Sequence, residues 1–156
     1  MIARWDQVDE DLRSIFNAVP LRCLVHLRDN RGRWVRGVYR TGDGRGCLMN
    51  LLTETLTPGQ HIDSPLALKL FFAAAETPAP DKVNDPQYQP ARWIVRLWDG
   101  QICERLIERY GDVKQLSDER VLSVLREVIA ERESLEADAE HARQSALERL
   151  AERVLG

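Results

Sequence analysis

From Ser117 to Leu155 the chain contains neither glycine nor proline, and its apolar positions recur at helical steps. Val121, Leu125, Val128, Leu135, Ala139, Ala142 and Ala146 follow alternating steps of four and three, with Arg132 as the one charged member; Leu150 and Val154 follow at four. Such spacing keeps one helix face apolar, so a long C-terminal helix is the first element to place. Asp118 and Glu119 suit the positive end of its dipole. Up to residue 135 the apolar face is broad, as a core helix needs. Beyond Glu136 it narrows to alanines and late aliphatics rimmed by Glu and Arg. The sequence therefore suggests a single compact domain over 1–135 and a helical extension over 136–156. Leu135, Ala139, Ala142, Ala146, Leu150 and Val154 form the expected oligomer seam.

Upstream, Trp5, Val8, Leu12, Ile15, Phe16 and Val19 put a helix over 5–19, which Pro20 ends. Leu21, Cys23, Val25 and Leu27 alternate with Arg22, His26 and Arg28, which predicts a strand over 21–28. Asp29-Asn30-Arg31-Gly32 has turn chemistry, and residues 33–40 are rich in β-formers. The expectation is a basic β-hairpin over about 21–40. A glycine-rich loop follows over 41–46, then a short buried helix over 47–56. Ser64-Pro65 starts a second, nearly all-apolar helix through Ala75. Residues 76–90 hold Pro78, Pro80, Pro86 and Pro90 and read as a surface loop. Residues 91–110 read as a helix broken near Gly100. The fold class expected is α+β, dominated by helices, with the hairpin packed on them. Its core should include Leu12, Ile15, Phe16, Leu48, Leu51, Leu52, Leu68, Phe71, Phe72, Ile94, Trp98, Leu122, Leu125 and Ile129.

Composition limits the function classes. The chain has 156 residues, enough for one domain with its own core. The longest apolar run, Leu70 to Ala75, falls far short of the ~20 residues of a membrane span. With an N-terminus that turns acidic at Asp6, a cytoplasmic location is expected. The net charge is −3, unevenly spread: residues 21–45 carry seven arginines against Asp29 and Asp43. Arg28, Arg31, Arg33, Arg36, Arg40 and Arg45, interleaved with Trp34 and Tyr39, form the candidate surface for an acidic partner. Arginines along a phosphate backbone with aromatics stacking on bases make nucleic acid the alternative.

Catalytic signals are thinner. Gly42-x-Gly44-x-Gly46 before a helix has the order of a phosphate-cradling loop, but lacks the Lys-Ser/Thr of a P-loop. Cys47 opens a helix, where the dipole favours thiolate, and is the best nucleophile candidate, with His61 or His26 as base. The plainer reading of Cys23, Cys47 and Cys103 is three buried reduced thiols. No metal-ligand spacing appears, and no cofactor is expected.

The stretch from Trp34 to Leu52, Trp-x-x-Gly through a glycine turn to Cys47 and an apolar helix, is similar to a segment in a family of short bacterial proteins of unknown function. Leu97-Trp98-Asp99 is the nearest counterpart of that family's aromatic-Asn-Asp element and lacks its Asn. The resemblance implies a small helical domain and carries over no functional residue. The function expected is a non-enzymatic interaction or regulatory protein. It would associate with a protein partner or itself through the C-terminal helix. Nucleic-acid binding by 28–45 and a Cys47 enzyme are the alternatives.

Overall fold

The structure is a computed structural model that describes residues 2–55, 90–134 and 137–155, the last stretch with side chains from residue 140. The expected helix over 64–75, the proline-rich loop, Leu68, Phe71, Phe72 and His61 lie outside the described residues. Seven α-helices are described: α1 Trp5–Asn17, α2 Leu21–Asp29, α3 Leu48–Thr53, α4 Pro90–Asp99, α5 Glu104–Tyr110, α6 Asp118–Glu133 and α7 Ala137–Leu155. Helix α1 packs against α4, α5 and α6, and α2 packs against α3 and α6.

The described residues contain no β-strand, so the basic hairpin is corrected to a helix and a stapled loop. Residues 21–29 are helical because Cys23, Leu24 and Leu27 make one buried face. Strand alternation would set Leu24 beside Arg22 and His26, yet it is fully buried. Pro20 supplies the N-cap backbone but no side-chain acceptor. Instead the Glu140 carboxylate of α7 accepts from Leu21 N–H at 2.8 Å, satisfying one of the orphan donors of the first turn.

Residues 31–33 form a 3₁₀ turn, and 34–46 fold back as a loop whose backbone meets only in isolated bridges, Trp34 with Gly46 and Arg40 with Gly46. The loop is pinned by two indoles. Trp34 Nε1 donates to Leu27 O at 3.0 Å, and Trp98 Nε1 donates to Val35 O at 2.9 Å. The rings meet edge to face, centroids 6.0 Å apart, a geometry favoured by the ring quadrupoles. Gly46 is required where the loop crosses itself: a Cβ there would lie 3.0 Å from Tyr39 O and 2.1 Å from Asn50 Nδ2.

The expected helices over 5–19, 47–56 and 91–110 are present as α1, α3 and the α4–α5 pair. Gly100 breaks the last with φ 74°, a conformation favouring glycine. The remaining expected core residues, from Leu12 to Ile129, are buried. Where one long C-terminal helix is expected, the structure describes α6, capped at Ser117 by a bond from Arg120 N–H and ending at Glu133, and α7 from Ala137. Leu147 and Ala151 bury one face of α7 in the core. No helix among the described residues is long and apolar enough to cross a membrane.

Candidate functional site

The arginine-rich segment is held by carboxylates of its own chain. Arg28 pairs with Asp29, Arg31 with Glu119, Arg36 with Asp118 and Arg45 with Asp43. Arg33 forks onto both oxygens of Glu54, at 3.0 and 2.6 Å, and its Nε donates to Gly44 O at 2.8 Å. Arg40 is engaged as well. Arg36 is the most deeply committed: its guanidinium carbon sits 3.7 Å from the Trp98 ring centroid, and Nη2 donates to Leu116 O and Asp118. Trp34 is buried under the loop and Tyr39 is half-buried. Three arginines of the excess, Arg31, Arg33 and Arg36, are thus met by carboxylates just past α3 and at the start of α6, and Arg28 and Arg45 by those of their own segment.

The glycine loop spends its amides in the same way. Gly44 N–H donates to Thr41 O, Arg45 N–H to Thr41 Oγ1, Gly46 N–H to Arg33 O and Cys47 N–H to Tyr39 O. A phosphate would have to displace these bonds. Thr41 Oγ1 and Arg45 hydrogen-bond Asp43, and those bonds hold its carboxyl down at about 2.

Cys47 lies at the N-cap of α3, but it is buried and desolvation pushes its thiol up, opposing the backbone amides of Met49 and Asn50. His26 is occupied on both sides. Its Nε2 lies 2.6 Å from Glu54 Oε2 and its Nδ1 3.3 Å from Asn30 Nδ2. Burial raises the Glu54 carboxyl, but the bonds from Arg33 and His26 outweigh it and lower the group overall. Among the described residues no hydrogen bond joins Cys47 to a histidine. The thiol that sequence reading passed over is Cys103, at the N-cap of α5. The Leu106 backbone amide is the main cause of its lowered pKa, with Arg96 Nη1, 3.9 Å from the sulfur, assisting. Its signal was positional: it opens the helix that follows Gly100.

The seam residues divide. Ala142 and Ala146 are exposed, Leu150 and Val154 are half-buried, and the side chains of Leu135 and Ala139 lie outside the description. Successive steps of four drift about 40° round a helix of 3.6 residues per turn, so 142, 146, 150 and 154 spiral from the outer face toward the inner one. The inward line runs through Glu140, Gln144, Leu147, Ala151 and Val154, of which Leu147 and Ala151 are buried and the others half-buried. Glu140 fixes this rotation by pairing with buried Arg132 and with Leu21 N–H.

No group of three or more His, Cys, Asp or Glu side chains that would hold a metal ion occurs among the described residues. No family model, no curated protein and no solved structure matches the chain.

Proposed function

We propose that the chain is an interaction protein that assembles with a second copy of itself through the outward face of α7. The observation that carries this reading is the latched rotation of α7. With Leu147 and Ala151 turned inward, Ala142, Ala146, Arg149 and Arg153 are exposed, and among the described residues nothing pairs either arginine. Glu148 and Glu152 are exposed beside them. A contact between two copies uses one patch twice, so it needs both charge signs on that patch. An antiparallel pairing centred between residues 147 and 148 sets Ala142 against Arg153 and Ala146 against Arg149, small side chains against long ones. The arginines of 28–45 do not enter this reading. An acidic partner or a nucleic acid there would have to displace Glu54, Asp118 and Glu119.

Sedimentation velocity over a concentration series tests the reading. The native chain is expected to dimerise, and Ala146→Arg to remain monomeric because it sets a second guanidinium against Arg149 of the other copy across the seam. Ala146 is exposed in the single chain, so the variant's unfolding free energy should stay within about 0.5 kcal/mol of native. A native chain that stays monomeric at every concentration contradicts the proposal.

A further inference from the structure

We propose that the cavity between the start of α1, α4 and α5 binds a small oxyanion, a carboxylate or a phosphate. The cavity measures about 240 Å³ and is lined by Arg4, Gln7, Trp93, Arg105, Glu108 and Arg109. It lies on a different part of the molecule from the α7 seam, and the inference does not depend on that reading.

Three arginines line it, and two are held in place before any ligand arrives. Arg4 is tied to the end of α5, its backbone N–H donating to Tyr110 O and its Nη2 to Glu108 O, each at 2.6 Å. The carbonyl of Ile2 lies over Gly111, whose φ is 73°; a Cβ there would stand 2.1 Å from that oxygen, so glycine lets the N-terminal segment close this edge. Arg109 is clamped by Asp11, with Nε and Nη2 each at 2.7 Å from a carboxylate oxygen. No bond of that clamp uses Nη1.

Arg105 sits one turn before Arg109 on the same helix face, and among the described residues nothing pairs it. Asp11 balances Arg109, and the lining itself carries three arginines and one carboxylate, that of Glu108. A planar fork of donors matches the paired oxygens of a carboxylate or phosphate, and a charge-assisted bond of this type is about twice as strong as a neutral one. Arginines already fixed in place lose less entropy on binding. The volume is below the roughly 300–1,000 Å³ of drug-sized sites, which suits a small ligand.

The test is calorimetric titration of the full chain with sodium phosphate and, separately, sodium benzoate, with chloride adjusted to hold ionic strength constant. Saturable binding is expected for at least one of the two, and which one identifies the anion class. Arg105→Gln should weaken it about tenfold or more. That substitution removes an exposed, unpaired side chain, so the fold should stand, as a thermal melt will show. Arg126→Gln, equally exposed and remote in sequence from the cavity, should bind like native. Three results overturn the proposal: no saturable binding of either salt, equal binding by Arg105→Gln and native, or equal weakening in both variants.

Discussion

Replacing Arg132 with Ala is expected to cost on the order of 3–5 kcal/mol, the usual cost of breaking a buried ion pair from one side. Arg132 is 3% exposed, and its guanidinium joins α6 to α1 and α7, and through Glu140 to α2. Nη1 donates to Phe16 O at 2.9 Å, one of the carbonyls left over at the end of α1. Nε donates to Glu140 Oε1 at 2.6 Å, and the other Glu140 oxygen caps α2 through Leu21 N–H. Without Arg132, the Phe16 carbonyl loses this donor and, among the described residues, Glu140 keeps only Arg143, at 3.3 Å, as a cation. For a chain of this length the loss corresponds to a Tm lower by on the order of 10 °C. Arg132→Lys should recover only part of it, because a single ammonium nitrogen does not reproduce the spread of Nε and Nη1 over two acceptors. Thermal unfolding of the two variants checks this. Alanine behaving within about 0.5 kcal/mol of native, as an ordinary surface change does, would show that the latch is absent.

Asp11→Ala should cost a similar amount, on the order of 3–5 kcal/mol. Asp11 is 4% exposed and accepts from Tyr110 Oη at 2.5 Å, from Arg109 twice and from Gln7 Nε2 at 3.1 Å. Its removal strands a half-buried guanidinium and a buried phenol. The same cluster sets an alkaline limit. Burial, and then the Asp11 charge and hydrogen bond, push the Tyr110 phenol well above its ordinary value. The native state therefore keeps a proton that the unfolded chain releases near pH 10. The associated stability is complete below that pH and is lost as pH rises toward the folded value. Urea unfolding between about pH 9 and 11 should show stability falling in the native chain. Tyr110→Phe should be less stable at neutral pH and show a shallower alkaline slope. An identical slope in the two would place the titration elsewhere.

Much of the fold was legible in local pattern. Trp5 to Val19 has a helical repeat and a proline stop, so α1 follows from the sequence. The Leu48–Leu52 run is buried because it has no polar face to turn outward. The break at Gly100 needed only a glycine inside a repeat. The hairpin failed for a physical reason: residues 21–28 satisfy both periods, and what decides between them lies far away. Glu140, 119 residues on, caps Leu21, and Leu24 finds its buried place only when α3 and α6 are present. The segment 33–40 has β-formers, but the Trp98 indole takes the Val35 carbonyl that a strand ladder would use, and Trp34 turns its own indole back to Leu27 O of α2. The arginines were visible as a charge excess, whereas their partners Glu54, Asp118 and Glu119 are neighbours only in the folded chain. The outward face of α7 was half legible, since the sequence shows a stripe but not the rotation that Glu140 imposes. The pocket around Arg105 was not legible at all, because Arg4, Trp93 and Arg109 come from three separate segments.

The arginines of the 31–45 segment hold the loop onto the helices. The most direct measurement is the urea-unfolding free energy of Arg31→Ala/Arg33→Ala/Arg36→Ala beside that of the native chain. The two exposed pairs contribute little, on the order of 0.2–1 kcal/mol each. Arg36, stacked on Trp98 and bonded to Leu116 O and Asp118, supplies most of the rest. The account predicts a total loss on the order of 2–4 kcal/mol. A variant as stable as native would contradict it and return these arginines to the surface as a site for an outside partner.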